Sequence, residues 1–97
     1  MPPHKEYFVW DAQKYDANIK KHGVDFYEAA TVFDDPQAVS FYDEAHSLDE
    51  DRFIIIGLSA NERVLMVCHC FRENGDIVRI ISARKAIKSE INIYGGL

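Results

Sequence analysis

At 97 residues the chain makes one domain, residues 1–97, since domains commonly run to roughly 100–150 residues. Its 47% hydrophobic and 28% charged residues fit one core under a solvated surface, and no apolar run nears the roughly 20 residues of a membrane span. The net charge of −5 argues against tight non-specific nucleic-acid binding, which rests on neutralising phosphates. That figure hides an asymmetry. Residues 22–51 hold nine acidic residues and no Lys or Arg, whereas residues 52–97 hold seven basic and four acidic ones. The acidic middle is either a solvated loop or a surface for a cationic partner. The start, "MPPHKEYFVW", lacks the apolar core of a signal peptide, so a cytoplasmic protein is expected. Cys68 and Cys70 are too close along one strand to bridge, and with His69 between them they are a weak metal signal. Free thiols and no metal or cofactor are expected.

In chain order, "FVW" (8–10) is a short β-like entry, and Asp11 is a plausible N-cap for a first helix. Ala12, Tyr15, Ile19 and His22 follow at helical spacing as its apolar stripe. "KKHG" closes that helix, with cations at the negative end of the dipole and Gly23 as the left-handed cap. Asp25 and Glu28 form an Asp version of the capping box for a second helix, which buries Phe26, Ala29, Ala30 and Phe33 and stops at "DDP" (34–36). Strands are expected at 38–42, 52–59, 64–71 and 77–83, with an acidic loop at 43–51 and a short C-terminal helix fraying at Gly95-Gly96. The order predicts an α+β fold, an antiparallel sheet with two N-terminal helices packed on one face.

Asn74-Gly75 is a strong hairpin signal. A two-residue turn there pairs Arg72 with Ile77, Cys70 with Arg79 and His69 with Ile80. Strict alternation then puts Val67, His69, Val78, Ile80, Ser82 and Arg84 on the helix-covered face. Met66, Cys68, Cys70, Arg72, Arg79 and Ile81 fall on the other. Arg72 and Arg79 become diagonal neighbours, and with Arg84 and Lys85 at the strand exit they form a cationic floor. A bulge would reverse one strand's faces. The floor is either an anion site or a set of ion pairs with the acidic middle.

Several ordered motifs resemble a known family. "FVWDAQKYDANIKKHGVDFYEAATVFDDP" (8–36), "RFIIIGLS" (52–59) and "VRIISARKA" (78–86) look like the motifs of the BrnT toxins. The resemblance implies a RelE-like fold and a small bacterial ribonuclease toxin that inhibits translation. It also implies neutralisation by a BrnA-like antitoxin, through which alone the pair would touch DNA. One departure is the tail "IKSEINIYGGL", which has one Lys and one Glu where the family commonly carries an Arg-rich helix. The alternative is therefore a weak or inactive member serving as antitoxin-binding partner and corepressor.

Metal-free RNA cleavage needs a proton acceptor for the 2′-OH, a donor to the leaving oxygen, and cations for the phosphate. Arg79 and Arg84 match the resembled signature and are the first candidates, with Lys85 and Arg72 in support. His69 is the acid/base candidate by residue type, although the hairpin map also allows it a core role. Lys21 and His22 would reach RNA from the first helix, or His22 would only close that helix. Arg52 is either a phosphate cation or a partner for the acidic loop. His4 and His46 fall in expected loops and carry no inference. Phe8, Trp10, Tyr15, Phe26 and Phe33 have spacing that favours core over base stacking.

Overall fold

The computed structural model describes residues 7–95, so His4 and Gly96 lie outside the described residues. The elements are β1 (Tyr7–Val9), α1 (Ala12–His22), α2 (Phe26–Thr31), β2 (Val39–Tyr42), β3 (Phe53–Leu58), β4 (Val64–Arg72), β5 (Ile77–Lys85) and α3 (Lys88–Tyr94). One five-stranded sheet runs in the order β1-β5-β4-β3-β2. β2 to β5 are antiparallel neighbours, as expected, while β1 adds a parallel partner along β5 from Ile77 to Arg79.

The helix starts follow the sequence signals. Asp11 accepts from the Lys14 N–H at 3.0 Å, and Asp25 accepts from the Glu28 N–H at 2.7 Å. α1 ends at Gly23, whose φ of 70° is the left-handed cap, and the Gly23 N–H donates to the Ile19 carbonyl at 2.8 Å. Both helices lie against β5. Between them and the sheet, Val24, Phe26, Val32, Leu65, Val67, Val78 and Ile80 are fully buried. Each such side chain contributes about 1.5–3 kcal/mol by leaving water. Trp10, Tyr15 and Phe26 meet as a ring cluster at centroid distances of 5.8–5.9 Å, which is core packing. Gly57 lets the turn after α2 lie on β3, because a Cβ there would come within 2.8 Å of Val32 Cγ1.

Two polar devices fix the helices. The expected stripe of α1 is corrected: Ala12 and Ile19 are exposed, and the buried residue is Asn18. β1 stops at Val9, so further along β5 the main chain has no strand on that side. The Asn18 carboxamide takes that place, donating to the Ala83 carbonyl at 2.8 Å and accepting from its N–H at 3.1 Å. It also donates to the Val24 carbonyl at 2.9 Å. Glu28 departs from the capping-box expectation. Its side chain turns into the core, where it accepts from the Ser59 hydroxyl at 2.7 Å and from the Arg63 guanidinium. The guanidinium bond holds its carboxyl below the usual carboxylate range.

The hairpin register is the expected one from Arg72↔Ile77 to His69↔Ile80. The turn is longer than two residues: Glu73, Asn74 and Gly75 all take positive φ, and Asp76 N–H donates to the Glu73 carbonyl at 3.1 Å. The faces change at a bulge. His69 pairs with Ile80 but Cys68 pairs with Ser82, leaving Ile81 as the extra residue. Ala83 therefore enters the core, and Ser82 and Arg84 join Cys68 and Met66 on the opposite face. The expectation of Arg84 on the helix-covered face is corrected by this one residue.

Candidate active site

The face away from α1 and α2 carries the arginines. Arg72 and Arg79 come from the β4–β5 hairpin, and Arg52 enters from just before β3. All three converge on one carboxylate from the acidic loop. Glu50 lies 3.5 Å from Arg52 Nε, 3.4 Å from Arg72 Nη2 and 3.5 Å from Arg79 Nη1. These are ion-pair separations, longer than tight charge-assisted hydrogen bonds of about 2.7–2.9 Å. Arg52 Nε is buried and meets no hydrogen-bond partner among the described residues. One carboxylate against three guanidiniums leaves a cationic excess, with its strongest donors under-used.

Arg84 sits further along β5. Its guanidinium makes two 2.9 Å bonds to Glu90 of α3, which also accepts from the Ile87 N–H at 2.9 Å. That pairing raises the Arg84 pKa and lowers the Glu90 pKa. Tyr94 anchors the end of α3 by donating to Asp35 at 2.8 Å. Between α3 and the sheet is a cavity of about 440 Å³, within the range typical of small-ligand clefts. Arg52, Arg84, Asp43 and His46 line it together with apolar Ile54, Met66 and Ile93.

His46 was unplaced by the sequence, and the loop turns out to hold it. Residues Glu44–His46 form a 3-10 turn, and His46 Nδ1 lies 3.0 and 3.2 Å from the two oxygens of Asp43. Asp43 is buried. The Ser47 hydroxyl ties the loop by donating to the Asp43 carbonyl at 2.6 Å and accepting from the Arg52 N–H at 2.9 Å. An Asp three residues before a His was a readable signal, but only the turn brings the two together.

His69 occupies the other face. It is 1% exposed, packed edge-on against Phe33 and Phe71, with Nδ1 3.2 Å from the Val67 carbonyl. Burial lowers its pKa to about 4, so the ring is neutral near pH 7. Lys21 and His22 line a separate cleft with Lys14 and Asn18, reaching the same stretch of β5 at Ile81 and Ser82. Lys85 is exposed at the strand exit. Both cysteines are free and buried, and burial pushes the Cys68 thiol pKa up. Among the described residues no group of three or more His, Cys, Asp or Glu is placed to hold a metal ion.

The profile of ribonuclease toxin BrnT, of type II toxin–antitoxin systems, matches residues 10–90. The chain belongs to the BrnT family. As a BrnT-family ribonuclease toxin it acts on RNA and has a cognate antitoxin. The crystal structure of the Brucella abortus ribonuclease toxin BrnT is similar, with a TM-score of 0.67 and 26% sequence identity over 86% of this chain and 99% of that one. No curated protein sequence is significantly similar. No helix among the described residues of this BrnT-family chain is long and apolar enough to cross a membrane.

Proposed function

We propose that the chain is a metal-independent endoribonuclease toxin that inhibits translation in the cytoplasm and is neutralised by a BrnA-like antitoxin, with DNA contacted only through that partner. The observation that carries this reading is the convergence of Arg52, Arg72 and Arg79 on a single carboxylate beside an open cavity. Glu50 there stands where a phosphate would bind: planar guanidiniums suit paired phosphate oxygens, and a polyanion offers more acceptors than one carboxylate. Arg79 and Arg84 are the charge-stabilising candidates, Arg72 and Arg52 the phosphate binders, and Lys85 a supporting cation. Lys21 and His22 extend the RNA path across β5 from the neighbouring cleft. His69 is assigned a packing role in this reading, because a buried neutral ring cannot reach substrate.

The second reading, an inactive antitoxin-binding partner and corepressor, is favoured by one observation. Arg84 is already satisfied by Glu90. The deciding experiment incubates RNA with purified protein in EDTA, beside Arg79→Ala and Arg84→Ala. Cleavage by wild type, lost in both variants, supports the nuclease. Intact antitoxin binding with no cleavage at any concentration supports the corepressor.

A further inference from the structure

We infer that His46 is the general base of the cleavage reaction and that Asp43 is the residue positioning it; this inference rests on the nuclease reading above. The geometry is that of an oriented imidazole. Asp43 is buried, with its two carboxyl oxygens 3.2 and 3.0 Å from Nδ1, so it accepts the Nδ1–H and fixes the tautomer in which Nε2 carries the free lone pair. Among the described residues Nε2 has no partner. The side chain is 69% exposed, so substrate can reach it. The same carboxylate stabilises the imidazolium that forms when Nε2 takes a proton.

The surroundings complete the site. His46 lies on the wall of the cavity that also holds Arg52 and Arg84. A base fits against Ile54, Met66 and Ile93, and the arginines lie where a phosphate on that nucleotide would be held. The sugar then faces His46. Nε2 removes the 2′-OH proton, the 2′-oxygen forms a bond to phosphorus, and the bond from phosphorus to the 5′-oxygen breaks. The leaving 5′-oxygen takes a proton from water, and the products are a 2′,3′-cyclic phosphate and a 5′-hydroxyl. The imidazolium then returns its proton to solvent. No oxidant, reductant or metal enters this balance.

The test uses full-length protein and a fluorescently labelled single-stranded RNA of mixed sequence, in EDTA. His46→Gln is expected to lower the cleavage rate by about 10²–10⁴-fold, the range for losing a general base, with RNA affinity unchanged. The acid limb of the wild-type pH–rate profile should vanish in this variant. The other charged or titratable groups lining the two clefts that His46 borders are Asp43, Arg52, Arg84, Glu90, Cys68 and Asp49, and all remain in it. His46→Ala should regain activity with added imidazole. Asp43→Asn should shift the pH profile rather than the affinity. Cleavage by His46→Gln within threefold of wild type, with the acid limb intact, overturns the assignment and leaves the nuclease standing. A wild type that cleaves nothing overturns both.

Discussion

The two faces of the sheet use polar groups in opposite ways. On the helix-covered face the buried side chains of Asn18 and Glu28 are closely matched. Asn18 makes three bonds of 2.8–3.1 Å, and Glu28 binds both Ser59 and Arg63. On the other face three guanidiniums share one carboxylate at 3.4–3.5 Å, and one buried donor is left over. Buried polar groups are normally satisfied, so the first pattern is what holds a fold together. The second pattern leaves one buried donor, Arg52 Nε, without a bond among part-exposed guanidiniums, an arrangement that a ligand with several acceptors would complete.

This contrast can be broken from either side. The largest effect is expected on the open face: Arg79→Ala should reduce RNA cleavage about 10²–10³-fold, as loss of one charge-stabilising donor does, with its melting temperature nearly unchanged. Paired activity and melting measurements check this. Next, on the helix-covered face, Glu28→Ala should cost about 3 kcal/mol in urea unfolding, because it leaves Arg63 and Ser59 without their shared acceptor. Asn18→Ala should cost about 2 kcal/mol by stranding the Ala83 and Val24 main-chain groups.

His69 sharpens the same line through pH. Its folded pKa of about 4 lies below the ordinary histidine value near 6.5. The unfolded chain therefore binds a proton first, and this contribution to stability is complete above pH 6.5. It is lost at up to about 1.4 kcal/mol per pH unit as pH falls from 6.5 towards 4. His69→Phe should lack that part of the acid sensitivity when unfolding is followed across the window. The smallest effect is expected at the shared carboxylate. Glu50→Gln should tighten RNA binding about three- to tenfold and steepen its salt dependence, measured by fluorescence anisotropy at several salt concentrations.

Much of the scaffold was legible in the residues. Asp11, Gly23 and Asp25 cap helices through local chemistry, which a sequence displays directly. The pairing of Cys70 with Arg79 followed from Asn74-Gly75, even though Glu73 also joined the turn. The bulge did not follow, because Ile81 is as good a strand residue as its neighbours and nothing local marks it as extra. Its place depends on Asn18, which is 65 positions away from Ala83 in sequence. Strict alternation therefore sent Arg84 to the wrong face. Pairing of the arginines with the acidic middle was a legible alternative, but the choice of Glu50 and the Asp43–His46 contact were hidden for a related reason: a loop's composition says that it is solvated, not which side chain folds back.

The bulge has a genetic corollary. Inserting or removing one codon between Arg79 and Arg84 would change how many residues separate two strand-borne cations that now look the same way. Such an indel would leave hydrophobic content, charge and helix count almost untouched, yet turn one guanidinium inward. Selection on this stretch should thus act on its length more strictly than on the identity of Ile81, and frame-preserving indels here should silence the toxin, through the open face and through the lost Asn18–Ala83 contacts together.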